Sequence, residues 1–505
     1  MCRSADLKGI NTLRGVRNMS HPSPWAPSAR PTPPRRVGYA LMIAVIANLA
    51  LSGLAPSSLW AARPVPQPPR PANPFAMLLV IQDWPWSDPS GWAQTVDLIA
   101  QMGNGQARMS VSWAISEPRP GQIRFDTIND ERIQSIEAQG MRPLVTLLVG
   151  CGWMNGCSLN GSRSYPPNDL SSVWHPQYGY SRSYYTFVKQ FITHYRGHFD
   201  LVAIENEVNS FLFWGGTADE YLRLIRTAYK AIKEADPNVR VIDSGMVSGM
   251  WGLCIARDWL ASGYRSEAET MQMALAYYRR AATNGVIPIR TAQDVRFWLA
   301  QPAVQQNCDM VTTILSRLQG TVDALNFHFY EDYAVMHYVS EWLDRRMQMA
   351  GYTRPKLTNE VGQRGDLAYA QGAQHARDVF KTLITAASLN LQAVTWFSGN
   401  LRGQPVAELF EGDGSWRPAA FTYRLVVNTI RDIYRFQSVA STGPTLYRYI
   451  FQDVTTGQPT LEAAWAEGDS QTVTLTAPPG STMATVTDYQ GGQQIYPAQN
   501  GQITL

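Results

Sequence analysis

The chain is poor in charge. Only 16% of its 505 residues are Asp, Glu, Lys or Arg, against 45% hydrophobic. Such a composition excludes an extended disordered chain and supports a packed core. There is no basic patch of the kind nucleic acid demands, so a nucleic-acid partner is not expected. No phosphate-binding glycine loop and no dinucleotide fingerprint occurs, so nothing calls for a nucleotide cofactor. His194 and His198 have the spacing of a metal pair but lack the glutamate of a metalloprotease motif. They read as helix C-terminal charge, and no metal site is expected. No repeat of fixed period is present.

Cysteines number five, and Cys2 stands apart near the N-terminus. Cys151 and Cys157 flank Gly152-Trp153-Met154-Asn155-Gly156 and suggest a small disulfide loop. Cys254 and Cys308 can form a second bridge, although spacing does not fix the connectivity.

The net charge of +3 is unevenly placed. Residues 1–62 hold seven bases and one acid, leaving 36 bases and 39 acids in residues 63–505. Arg35-Arg36 precede an uncharged run over residues 37–62, most apolar between Ala40 and Leu54. Bases followed by an apolar stretch read as an export signal, and the run is also long enough to anchor the chain in a membrane. Both alternatives stand, and both place the rest outside the cytoplasm: free, or held on the outer side of the cytoplasmic membrane. Residues 63–75 are proline-rich and predict an extended spacer.

From residue 76 to 436, short apolar runs alternate with amphipathic stretches, as in repeated βα units on a parallel sheet. The strands expected are Met77–Ile81, Ala107–Trp113, Leu144–Leu148, Leu201–Ile204, Val239–Ile242, Ala324–Phe329, Lys356–Thr358 and Ala393–Phe397. Eight such units predict an α/β fold, a (β/α)8 TIM barrel, with an insertion at about 246–320. In residues 437–505 helical spacing gives way to short runs broken by Pro478-Pro479-Gly480 and Gly491-Gly492, which predicts a small C-terminal antiparallel β domain resembling a sandwich.

Two of the barrel strands end in a carboxylate that follows an asparagine: Asn206-Glu207 after the fourth and Asn359-Glu360 on the seventh. Reacting groups of such barrels sit at the C-terminal ends of strands. A facing pair of carboxylates is the equipment of glycoside hydrolysis. Other residues placed at the same end are Arg108 and Trp113 near the second strand, His328 and Tyr330 on the sixth, and Trp396 on the eighth. Glu205, adjacent to the motif, is expected on the opposite side of its strand and reads as structural. Trp84, Trp86, Trp153, Trp174 and Trp214 fall in loops after strands, as packing or as outer sugar contacts.

This set resembles the retaining glycoside hydrolases of clan A. Its marks are Asn-Glu after strand four, His-x-Tyr on strand six, Glu-x-Gly on strand seven and Trp on strand eight. The stretch from Arg108 to Trp113, with Glu117-Pro118, Pro120-Gly121 and Phe125-Asp126, looks like the second-strand region of families 5, 39 and 42. The resemblance implies Glu207 as general acid/base and Glu360 as nucleophile. It implies Asn206 on the sugar 2-hydroxyl, Tyr330 steadying the nucleophile and His328 touching the sugar beside it. Trp396 becomes the floor of the subsite and Arg108 the base beneath the nucleophile. Asn359 departs from the pattern, since threonine is commoner there. The activity implied is hydrolysis of β-glycosidic bonds in a poly- or oligosaccharide, without cofactor or metal. The rivals are a non-catalytic carbohydrate-binding barrel and a transglycosylase. Retention requires the two carboxyl groups to lie about 5–5.5 Å apart. The sugar, the oligomeric state and the choice of exo or endo action stay open.

Overall fold

Eight parallel strands close around a core of small and aliphatic side chains. The fold is that of a computed structural model, which describes residues 40–44, 73–78, 89–125, 128–157, 163–171, 175–280, 287–397, 408–411, 413–441, 445–477 and 481–505. The strands are β1 (Ala40–Ala44), β2 (Phe75–Leu78), β3 (Gln106–Ser112), β4 (Arg142–Leu148), β5 (Leu201–Ile204), β6 (Arg240–Ile242), β7 (Leu325–Phe329), β8 (Lys356–Val361) and β9 (Val394–Trp396). They continue as β10 (Tyr434–Val439), β11 (Leu446–Asp453), β12 (Pro459–Ala466), β13 (Thr474–Thr476), β14 (Met483–Asp488), β15 (Gln493–Pro497) and β16 (Gln502–Thr504).

Strands β2 to β9 form one parallel sheet in the order β6-β5-β4-β3-β2-β9-β8-β7. Parallel bridges Ile242–Ala324 and Met246–Phe327 join β6 to β7 and complete the ring. The chain is thus a (β/α)8 barrel. Alternation along each strand explains its composition. Leu144, Leu201, Ala203, Ile242, Ala324, Leu357 and Ala393 fill the lumen. Their neighbours Val145, Val202, Ile204 and Val394 pack outward in the large core that includes the helices.

The helix Ala218–Ala235 shows how the outer layer is specified. Thr217 and Glu220 close its N-terminus as a capping box. Tyr221, Leu222, Ile225, Ala228 and Ile232 are buried on it. Between β6 and β7 the described residues form four helices, Trp251–Ser262, Glu267–Tyr277, Ala292–Leu299 and Pro302–Ser316. The last packs against the helices Ala218–Ala235 and Met336–Met349. It is therefore the ordinary outer helix of its βα unit, so the inserted part is shorter than the 246–320 expected. Cys254 and Cys308 are bridged, tying the first of these helices to the last, and Cys151 is bridged to Cys157.

The β domain is a six-stranded sheet in the order β10-β11-β12-β1-β14-β15, beside the pair β13–β16. It begins at Tyr434, a few residues before the expected boundary. Strand β1, from the apolar run near the N-terminus, pairs antiparallel with both β12 and β14. The rest of the leader and nearly all of the spacer lie outside the described residues. No helix among the described residues is long and apolar enough to cross a membrane. Trp465 joins the sheet to the barrel. It stacks on Tyr447 and Tyr449, meets Phe380 edge-on, and donates from Nε1 to the Tyr333 hydroxyl at 3.0 Å.

Candidate active site

The residues at the mouth are held by loops whose backbone is locked before any side chain is considered. Glu205 and Glu207 both have positive φ, 67° and 43°. Non-glycine residues rarely adopt this conformation, and it persists only where surrounding structure enforces it. Here Glu205 N–H donates to Leu147 O and Glu207 N–H to Ser244 O. The Tyr221 hydroxyl donates to Ile204 O and accepts from Ser244 N–H. Asn209 clamps Val247 through both its amide groups, donating to its carbonyl and accepting from its N–H. The turn after β5 is thereby fixed to the turn after β6.

Four groups converge on Arg108, which is buried. Its Nε donates to Thr146 Oγ1 at 3.0 Å, and Nη1 donates to the Asn359 carbonyl at 2.9 Å and to Glu360 Oε2 at 2.6 Å. Nη2 donates to Asn206 Oδ1 at 2.8 Å. The other oxygen of Glu360 accepts from the Tyr330 hydroxyl at 2.6 Å. Burial alone would raise the Glu360 pKa. The charges of His328 and Arg108, with hydrogen bonds from Tyr330 and Arg108, outweigh it and hold the carboxyl below the usual range. Glu360 is thus a buried anion with both oxygens engaged.

Glu207 has different company. His328 Nδ1 lies 2.8 Å from Glu207 Oε1 and 3.5 Å from Glu360 Oε1. His328 is wholly buried, and its Nε2 lies 2.8 Å from Asn359 Oδ1. The ring fits only because residue 245 is glycine: a Cβ there would fall 2.3 Å from His328 Nε2. Gly245 also has φ 65°, a conformation that suits glycine. Asn359 and Glu360 are consecutive, yet both reach the lumen. The pairing of β8 shifts register against both neighbours, which breaks the alternation there.

The structure therefore brings together Arg108, Asn206, Glu207, His328, Tyr330 and Glu360. It does not bring Trp396 with them. Trp396 is fully buried in the layer between barrel and helices, edge-on to Tyr423 of the helix Pro418–Ile430. It cannot be a sugar platform. The next residue, Phe397, faces the mouth and meets the Tyr330 ring edge-on at 5.7 Å. Trp113 and Trp214 are buried as well, and Trp153 is half-buried with Nε1 on the Glu117 carbonyl. Trp84, Trp86 and Trp174 lie outside the described residues. His194 and His198 each meet an acid of their own, Asp130 and Glu137.

Several supporting roles were not expected from the sequence. Asn359 carries His328, and Thr146 carries Arg108. Asp243 lies deeper, with Oδ1 accepting from Asn326 N–H, and Asn326 Oδ1 in turn accepts from Asn359 N–H. Burial raises Asp243 to about 7. Glu205 is structural as expected: Oε1 accepts from Val149 N–H at 2.6 Å, and burial raises it to about 7.

One oxygen of Glu207, one of Glu360 and a nitrogen of His328 lie within 4.8 Å of one another. Among the described residues this trio alone has donor atoms that could meet at one metal ion. Arg108, 2.6 Å from Glu360, sets a permanent positive charge against any cation placed there.

No family model and no curated protein matches the chain. Solved structures do. A family 39 glycoside hydrolase from the gut symbiont Bacteroides cellulosilyticus WH2 is similar over 86% of this chain and 79% of its own, with TM-score 0.56 and 14% identity. A GH39 β-xylosidase from Caulobacter crescentus covers 77% and 79% at 15% identity and TM-score 0.46. A GH5_18 protein from Streptomyces cattleya, solved with GlcNAc, covers 70% and 80% at 12% identity and TM-score 0.45. At this identity the likeness to the first shows a shared fold.

Proposed function

We propose that the chain is a retaining β-glycosidase that hydrolyses a poly- or oligosaccharide by double displacement. The observation that carries the reading is the unequal pair. Two carboxylates come within 4.8 Å of each other at the mouth, and only one of them is held by a guanidinium and a phenol. So close an approach of one oxygen from each favours a nucleophile over an inverting pair, whose carboxyl groups stand about 6.5–9.5 Å apart to leave room for water.

In the first step a Glu360 oxygen attacks the anomeric carbon. Glu207 protonates the departing oxygen, and a glycosyl ester remains on Glu360. In the second step Glu207 takes a proton from water, which attacks the same carbon and releases Glu360. Arg108 and Tyr330 keep Glu360 ionised and aimed. Asn206, fixed by Arg108, presents its amide to the sugar, and Phe397 offers an apolar edge beside it. The two disulfides suit an exported protein. We place it outside the cytoplasm.

Screening a glycan panel with wild type and Glu360→Ala tests the reading. Free sugars released by wild type and none by the variant are expected. Binding without turnover in either would support a binding protein instead, and new linkages would support transfer.

A further inference from the structure

Four arginines among the described residues have a buried Nε with no hydrogen-bond partner: Arg163, Arg346, Arg364 and Arg417. Two of them hold a carboxylate through another nitrogen, Arg346 with Asp258 and Arg417 with Glu411. Arg163 and Arg364 form no ion pair with any described residue. These two stand at the mouth. Arg364 lies three residues beyond β8, its guanidinium 4.8 Å from the centre of the Tyr330 ring that holds Glu360. Arg163 lies in the loop after β4, its guanidinium 5.1 Å from the Tyr165 ring. Its Nη2 reaches the Trp214 carbonyl at 3.2 Å, on the segment that follows Glu207.

A half-buried guanidinium without an anion is costly to keep, and its planar fork matches carboxylate and sulfate geometry. Arg364 acts electrostatically on Glu331, whose Oε2 is already taken by the Ser248 hydroxyl and Tyr330 N–H. We propose that the substrate is an acidic glycan: a carboxylate or sulfate on the sugar at the nucleophile side is met by Arg364, and Arg163 meets a second acid group on the leaving-group side. Residues 63–505 carry a slight excess of acids, so diffuse attraction for polyanions does not supply this preference. The inference rests on the glycosidase reading for the placement of the two sides.

The test is binding by Glu360→Gln, which does not consume its ligand. The probes are uronate-bearing, sulfated and neutral oligosaccharides of equal length, at about 0.15 M and about 0.5 M salt. Acidic members are expected to bind at least about tenfold tighter than neutral ones and to weaken with salt. Which acidic arm binds identifies the group. Adding Arg364→Gln is expected to cost about tenfold or more on acidic members, with partial recovery in Arg364→Lys. If near-ultraviolet circular dichroism shows Arg364→Gln misfolded, Arg163→Gln makes the same test from the other side. Equal or better binding of neutral members, no binding at all, or unchanged affinity in a folded arginine variant overturns the proposal. Wild-type turnover of the same panel separates the two readings. Hydrolysis of neutral members alone sinks the acidic substrate and leaves the glycosidase standing. Acidic binding without turnover does the reverse.

Discussion

At the residue scale, the site works by giving two like groups unlike neighbours. Tyr330 supplies one of two short hydrogen bonds to Glu360. A bond to a charged group contributes about 1.5–3 kcal/mol, so Tyr330→Phe is expected to lower kcat roughly ten- to hundredfold. Since that bond helps to lower the Glu360 pKa, its loss raises it. The acid limb of the kcat/KM profile should then move to higher pH; an unmoved limb would contradict the role. Glu205 provides a second test, through stability. Burial lifts it from 4.5 to about 7. The folded protein therefore holds a proton that the unfolded chain releases, and stability present below about pH 4.5 is lost as pH rises through about 7. Glu205→Gln stays neutral and keeps an acceptor for Val149 N–H. Its stability, followed by thermal melts, should gain on wild type between pH 4.5 and 8, by roughly 3 kcal/mol at most. A gap that does not change with pH would contradict this. Arg108, Glu207 and Glu360 were legible because the ends of buried strands mark the mouth. The supporting roles of Asn359 and Thr146 were not. Their importance comes from what they hold, and partners so distant in sequence leave no local pattern.

At the element scale, register decides which aromatic faces the mouth. Ala393 lies in the lumen and Val394 and Trp396 outside it, so Phe397 falls on the mouth side. Strict alternation from Ala393 would have revealed this from the sequence, because a slip of one residue exchanges the faces of a strand. Trp396→Ala should cost about 3–5 kcal/mol of stability, as for other buried aromatics. Phe397→Ala should leave the melting temperature nearly unchanged and lower kcat/KM roughly tenfold. The opposite pattern in thermal melts and kinetics would restore Trp396 to the mouth. β8 broke the alternation that made the other strands readable, since its register shift turns both Asn359 and Glu360 inward. β10 and β11 carry little strand signal in the sequence because their burial is patchy, with exposed residues on both faces of β10. β1 was hidden inside an apolar run whose composition suits a membrane as well as a sheet.

At the scale of the whole molecule, barrel and β domain share one network. Tyr333 and Lys381 of the barrel both bond Glu467, beside the Trp465 contact. The Cys254–Cys308 bridge closes a 54-residue separation across the helices between β6 and β7. By chain entropy such a loop contributes about 4 kcal/mol. Replacing both cysteines by alanine should lower the melting temperature by several degrees, and an unchanged melt would show that the bridge adds nothing. The eight βα units were legible because length, alternation and caps agreed along the chain. The docking of the β domain was not, because it rests on single side chains far apart in sequence. The claim that binds these scales is that Glu360 attacks the sugar and Glu207 serves both steps. The configuration of the first-formed product, followed by proton NMR on a glycan that wild type cleaves, tests it most directly. The β anomer appearing first, and mutarotating only later, is expected; initial release of the α anomer would contradict a nucleophilic Glu360.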